Sequence, residues 1–241
     1  LIETPEKTRI SGVFLCKNFH QFWKMHYLTK KLWYPNPKDA TSDGLLAIGG
    51  DLSVERLLLA YNSGIFPWFE DDQPILWWSP DPRMVLFPEK FKVSKSLQRI
   101  LKSEKFKITF NQNFEEVIKN CATVPRKGQG GTWITEEMQQ AYIDLHKAGH
   151  ALSVEVWENY KLVGGLYGID LPQKKVFCGE SMFNLVSNAS KVAFYHLSEY
   201  VKSKNYKFID CQIYNGHLES LGAEEIGREE FLAFLSKFSA C

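Results

Sequence analysis

The stretch 206-YKFIDCQIY-214 sets a carboxylate, Asp210, and a carboxamide, Gln212, two residues apart inside an apolar, aromatic-rich run. Side chains along a strand alternate between faces, so these two share one side, and Asp is depleted in strands. An ionised carboxylate only accepts hydrogen bonds, whereas an amide both donates and accepts. Side by side they can form a plain structural pair, or together receive and deprotonate an amine. Glu180, which opens the loop 180-ESMFNLVSNASK-191, has the same two readings: a solvated cap at a strand end, or a further acid delivered to the same cleft. Topology favours the second, because strands on either side of a splay point carry Glu180, Asp210 and Gln212 into one cleft.

The familiar catalytic signatures are missing. No G-x-x-x-x-G-K-[ST], no G-x-G-x-x-G after a strand, no H-E-x-x-H and no G-x-S-x-G occurs. His146 and His150 are spaced i, i+4, but Gly149 ends the helix between them; they read as surface histidines, and no metal is expected. The loop 128-GQGG-131, beside Arg126 and Lys127, could cradle an anion, although a plain loop explains it as well.

With 241 residues, 44% hydrophobic and 14% aromatic, the chain has ample material for a core. A net charge of +1 gives no global pull toward nucleic acid or membrane, so such a partner must meet a local patch. Five scattered cysteines without a C-x-x-C pair suit reduced thiols better than disulfides or zinc. No apolar segment is long enough to span a bilayer and no signal-like leader is visible, so the chain reads as soluble and cytoplasmic, without membrane contact.

The elements that must position the polar residues follow from periodicity. Residues 1–82 read as a small α/β domain in which Pro35, Pro37, Pro67, Pro74, Pro80 and Pro82 cut short aromatic pieces. One helix is expected there, capped by Ser53, striped by Val54, Leu57, Leu58 and Tyr61, and ended by Gly64. Residues 83–241 read as a larger domain, making the whole chain α+β. Strands are expected over 83–87, 106–110, 152–157, 162–169, 175–180 and 206–214. Helices are expected after Ser94, after Asn113 (a capping box with Glu116), after Thr135, over 188–202 and through Phe231, Leu232 and Leu235. The three consecutive strands have connections too short for crossover helices, so they form an antiparallel meander.

Strand, two helices, meander, helix, strand is the order of the acyl-transferring Gcn5-related N-acetyltransferase fold, with its mostly antiparallel central sheet. Fold order alone does not give function. In that fold the loop after the meander grips the coenzyme A pyrophosphate through glycines and a basic residue. Here it reads 180-ESMFNLVSNASK-191, with neither, which argues for another acyl donor. Lys90, Lys92, Lys95, Arg99 and Lys102, continued by Lys105 and Lys107, make a modest case for a phosphate backbone, as do the lysines between Lys17 and Lys38. Trp68, Trp77 and Trp78 cluster among prolines and acids. Trp68 divides evenly between base stacking and core packing, whereas Trp77 and Trp78 read as core staples.

Ordered blocks then carry a resemblance over about residues 31–240: 44-GLLAIGGDLS-53, 61-YNSGIFPWF-69, 77-WWSPDPR-83, 131-GTWI-134, 153-SVEVW-157, 163-VGGLYG-168, 177-FCGESMF-183, 189-ASK-191, 209-IDCQ-212 and 217-HLESLGA-223. Together they resemble the leucyl/phenylalanyl-tRNA–protein transferases. The resemblance implies transfer of leucine or phenylalanine from Leu-tRNA or Phe-tRNA to proteins beginning with Arg or Lys, marking them for degradation. It implies no metal or nucleotide cofactor, and a monomer. By the family's D-x-Q motif it implies that Asp210 orients and polarises Gln212, whose amide oxygen receives the attacking amine, and by its GES motif that Glu180 holds the amine. It further implies an aminoacyl pocket of Phe177, Met182 and Ile209, with Leu166 and Phe194, and contacts to the tRNA 3′ end or peptide from Tyr61, Trp68 and Trp133. Phe194 is larger than the aliphatic residue expected, Leu152 stands where the family often has His, and 170-DLPQKK-175 lengthens a turn.

Two other readings stay open on the residues alone. A coenzyme A acetyltransferase would bind acetyl-coenzyme A. A non-catalytic RNA-binding module would leave Asp210 and Gln212 replaceable.

Overall fold

A computed structural model describes residues 25–124 and 134–236. The proline-cut N-terminal part forms more strand than its sequence suggests. Strands β1 (His26–Leu28), β2 (Leu45–Gly49), β3 (Phe66–Pro67) and β4 (Leu76–Trp78) pair in the order β1-β2-β4-β3, with helix α1 (Val54–Asn62) between β2 and β3. Each strand is too short to show a period, which is why pattern reading finds only the helix. Trp77 is the staple of this sheet: it is fully buried, and its indole N–H donates to the Gly49 carbonyl at 2.8 Å. Ser53 does precede α1, but its hydroxyl bonds Asp51 instead of capping the helix.

From residue 83 on the elements are β5 (Arg83–Leu86), α2 (Lys95–Lys102), β6 (Lys107–Phe110), α3 (Phe114–Thr123), α4 (Glu136–Lys147), β7 (Ala151–Glu158), β8 (Lys161–Leu171), β9 (Val176–Asn184), α5 (Ala189–Ser203), β10 (Phe208–Gln212), α6 (Gly216–Ser220), β11 (Glu224–Ile226) and α7 (Arg228–Ser236). They build a seven-stranded sheet in the order β11-β5-β10-β9-β8-β7-β6. Every neighbouring pair is antiparallel except β9–β10, which is parallel because α5 supplies the crossover. The expected meander is β7-β8-β9, and the chain is α+β with mostly antiparallel sheets. Ser94 and Thr135 cap α2 and α4 as expected, accepting from the N–H groups of Leu97 and Met138.

Each face of the large sheet buries its own apolar cluster. On one face α3, α4 and α7 join Leu46 and Trp77 of the N-terminal sheet and Tyr61 of α1. On the other, α5 and Leu97 of α2 cover Leu166, Phe177, Ile209 and their neighbours. The first cluster therefore runs across the 82/83 division.

Three local expectations are corrected. β9 continues to Asn184, so Glu180 lies inside a strand and does not open a loop. β10 is shorter than 206–214, ending at Gln212. Asn113 and Glu116 form no capping box: no side-chain cap bond is made at Asn113, whose own N–H faces the buried Glu155 carboxylate at 3.4 Å.

Candidate active site

The site sits where β9 and β10 part. Their main-chain register runs Phe208–Val176, Ile209–Phe177, Asp210–Cys178 and stops. Just beyond, both strands are irregular. In β9 the pairing with β8 passes from Gly168–Gly179 to Tyr167–Ser181, leaving Glu180 without a residue opposite. In β10 the register to β5 shifts between Asp210 and Gln212, and Gln212 takes a left-handed φ of 68°. Bulges of this kind re-aim side chains. Gly168 permits the first, since a Cβ there would stand 2.1 Å from the Cys178 carbonyl oxygen and 2.6 Å from the Phe177 ring.

The two re-aimed side chains meet across the gap. Gln212 Nε2 donates to Glu180 Oε1 at 2.8 Å, and both residues are fully buried. The other Glu180 oxygen accepts from the Tyr142 hydroxyl at 2.9 Å, and Tyr142 lies 2.6 Å from the Tyr61 hydroxyl. With Tyr142 donating to the carboxylate, Tyr61 donates to Tyr142. Gln212 Oε1 is the exception: it is buried with no hydrogen-bond partner among the described residues. Since an ionised carboxylate only accepts, Glu180 fixes the amide with its N–H₂ inward and its oxygen free to receive a donor. Burial pushes the Glu180 carboxyl above its ordinary value, against the opposing pull of the hydrogen bonds it accepts, those of Tyr142 and Gln212 among them. Burial likewise raises both tyrosines, reinforced by the Glu180 charge.

Asp210 does not touch the Gln212 amide. Its Oδ1 accepts the Gln212 backbone N–H at 2.9 Å, and its two oxygens take the Arg83 Nε and Nη2 at 2.8 and 2.7 Å. Asp210 thus acts on the backbone that presents Gln212. Burial, then the charge of Asp210, pushes the adjacent Cys178 thiol up.

Comparison with known proteins places this geometry in a lineage. Residues 85–236 match the family described as leucyl/phenylalanyl-tRNA protein transferase, and residues 50–81 match its N-terminal domain. The leucyl/phenylalanyl-tRNA–protein transferase of Flavobacterium johnsoniae is 61% identical over 211 residues, covering 88% of this chain and 99% of that one. That of Thermodesulfovibrio yellowstonii is 55% identical over 212 residues, covering 88% and 86%. This chain belongs to the leucyl/phenylalanyl-tRNA–protein transferase family. It is a transferase. Among solved structures, a GCN5-related N-acetyltransferase from Kribbella flavida aligns with a TM-score of 0.35 at 10% identity, over 69% of this chain and 58% of that one.

The transferase brings some of the expected residues together and separates others. Leu166, Phe177, Ile209 and Phe194 are fully buried in one cluster, with Met182 half-buried at its edge. That cluster lies on the face of the sheet opposite Tyr61 and Tyr142, which hold Glu180. Tyr61 is buried, its hydroxyl inside the Glu180 network, so it offers no open contact surface. Trp68 is half-buried, 5.8 Å from the Trp78 ring, and with Trp78, Phe66, Asp43, Ile213 and Tyr214 it lines a cleft of about 450 Å³ beside the end of β10. Trp133 lies outside the described residues, as do Arg126, Lys127 and the 128–131 loop. Lys92, Lys95, Arg99 and Lys102 are exposed along and before α2, whereas Lys90 is paired with Glu224.

His146 is half-buried and held in place: its ring stacks on Phe114 at 4.2 Å and its Nδ1 lies 2.8 Å from the Ala151 carbonyl oxygen. Among the described residues no group of three or more His, Cys, Asp or Glu is placed to hold a metal, and no helix is long and apolar enough to cross a membrane. Sequence reasoning missed Arg83 and Tyr142. Arg83 had a signal, a charge heading the apolar run 83-RMVLF-87; Tyr142 had one too, since a tyrosine on an apolar helix stripe needs a partner for its hydroxyl.

Proposed function

We propose that this chain moves leucine or phenylalanine from aminoacyl-tRNA to the N-terminal α-amino group of proteins beginning with Arg or Lys, creating a degradation signal in the cytoplasm. The observation that carries the reading is the Gln212 amide, locked by Glu180 so that its buried oxygen is open to a donor. The family membership supports an aminoacyl-tRNA donor and a protein acceptor.

An aminoacyl ester is already activated, so amide formation runs downhill without ATP. The amine nitrogen attacks the ester carbonyl; the carbon–nitrogen bond forms, the bond to the ribose oxygen breaks, and the amine's proton ends on that oxygen. An α-amino group has a pKa of about 8, so near neutrality most of it is protonated and needs an acceptor. Gln212 Oε1 receives the N–H of the attacking amine, and the Glu180 carboxylate favours its approach as a cation. Asp210 positions Gln212. Aligning two large substrates can itself supply several of the roughly 7–11 kcal/mol available to well-oriented reactions. The apolar cluster around Phe177, Ile209, Leu166 and Phe194 takes the aminoacyl side chain, entered at Met182, whose flexible thioether suits two shapes. Lys92, Lys95, Arg99 and Lys102 face the tRNA backbone, Trp68 and Trp133 its 3′ end or the peptide, and the enzyme acts as a monomer.

The test is transfer of labelled leucine and phenylalanine from charged tRNA to matched peptides starting with Arg, Lys, Asp or Ala, with RNase-treated donor and Gln212→Ala as controls. Label on the Arg and Lys peptides alone, lost in both controls, is expected. Label on acidic termini would keep the reaction and overturn the acceptor; unaffected turnover in Gln212→Ala would remove the role given to the amide.

A further inference from the structure

Among the described residues beside the site, Arg83 is a buried charge that the reaction above leaves without a task. Its side chain is 1% exposed, as is that of its partner Asp210. Its Nε and Nη2 donate in parallel to both Asp210 oxygens, at 2.8 and 2.7 Å, and its Nη1 points to the Gly64 carbonyl at 3.4 Å. The guanidinium carbon lies 4.7 Å from the Phe66 ring centroid and 4.6 Å from that of Phe231. A planar fork gripped at its edges and packed on aromatic rings has little freedom to turn, and it fixes the plane of the carboxylate it holds.

That carboxylate has a further bond. Asp210 Oδ1 accepts the backbone N–H of Gln212 at 2.9 Å across the β10 bulge. Gln212 is in the left-handed region, φ 68°, which a side chain other than glycine adopts only where its surroundings hold it. This backbone aims Nε2 at Glu180 and leaves Oε1 unpartnered.

We infer that Arg83 is a positioning residue for Gln212: by fixing the Asp210 carboxylate it holds the left-handed backbone that presents the amide oxygen. What the amide does rests on the transfer reading above; how it is held rests on these contacts alone. Phe66 comes from the N-terminal sheet and Phe231 from α7, so the amide is tied to both.

Two variants test this. Arg83→Lys keeps the charge and loses the fork. The double variant Arg83→Met/Asp210→Leu exchanges the buried pair for apolar groups, which proteins often tolerate, and removes the acceptor from the Gln212 N–H; it carries the test if the lysine variant does not fold. Melting, kcat and KM with leucyl-tRNA and an Arg-starting peptide, and the ¹⁵N side-chain amide signal of Gln212 are compared with wild type and Gln212→Ala. Folded Arg83→Lys is expected to lose about 100-fold in kcat, as misplacement by an ångström does. Its KM for the donor should stay within about twofold, with the Gln212 amide signal displaced. Adding the substitution to Gln212→Ala should cost nothing more. An unmoved amide signal in a folded variant, or the same fractional loss with and without the Gln212 amide, overturns the inference. Wild-type turnover in Gln212→Ala instead sinks the transfer role of the amide, and the amide signal still decides whether Arg83 holds it.

Discussion

Glu155 in β7 and Glu180 in β9 are both fully buried carboxylates, two strands apart in one sheet, yet they are built differently. Glu155 accepts from the Thr109 hydroxyl at 2.6 Å, from the Ser153 hydroxyl and from the Asn113 N–H. Its partners belong to β6, to β7 itself and to the start of α3, so it closes a local joint. Glu180 accepts from Tyr142 of α4 and Gln212 of β10, and the second of these has its other polar end unpartnered among the described residues. A buried acid whose network terminates in ordinary structural groups is a strut. One whose network ends on a buried acceptor left without a partner is the arrangement that the transfer role proposed above calls for.

That contrast can be broken by exchanging each acid for its amide. Glu180→Gln should lower transfer by about 10³-fold, in the range of lost acid–base assistance, with the fold retained. Glu155→Gln should leave transfer per folded molecule within about twofold. Rates measured against folded fraction decide it, and equal losses in the two variants end the distinction. Stability should follow a different order. Asp210→Asn leaves the Arg83 guanidinium buried without its counter-charge and should cost about 3–5 kcal/mol in denaturant unfolding. Glu155→Gln disturbs only hydrogen bonds and should cost about 1–3 kcal/mol.

The smallest effect is in pH dependence. Burial raises the Glu180 carboxyl in the folded protein, so the unfolded chain gives up this proton at lower pH than the folded one does. Glu180 therefore favours folding most below the ordinary carboxylate value, and that contribution is lost as pH rises through the folded value. Transfer that needs the carboxylate rises over the same window. Tyr142→Phe removes a donor to the ionised form and should move both profiles to higher pH. Unfolding and kcat/KM measured across pH, with Glu180→Gln as the reference lacking this titration, check the direction.

Much of the framework was legible because it is periodic. The stripe Phe114, Val117, Ile118 and Cys121 is the buried face of α3, and Met138, Ala141, Tyr142 and Leu145 that of α4. Asp210 and Gln212 were visible as polar residues in an apolar strand, but the bulge between them sends the Asp210 carboxylate to Arg83 and the Gln212 side chain to Glu180. Short strands such as Phe66–Pro67 and Glu224–Ile226 carry too few residues for a period to show. The expected capping box failed for another reason: the Glu155 carboxylate, 42 positions from Asn113, faces that residue's backbone N–H.

By itself, then, the sequence determined the long helices, the meander and the identity of the polar residues, since these depend on side-chain patterns within one element. Tertiary structure alone decided that Glu180 and Gln212 meet, through bulges in two strands that part beyond Cys178 and Asp210. It alone decided that Arg83, 127 positions from Asp210, holds that carboxylate, and that Tyr61 and Tyr142, 81 positions apart, line up behind Glu180. Periodicity is a property of neighbours along the chain, whereas a hydrogen bond between buried groups is set by how strands and helices far apart in sequence come to share one interior.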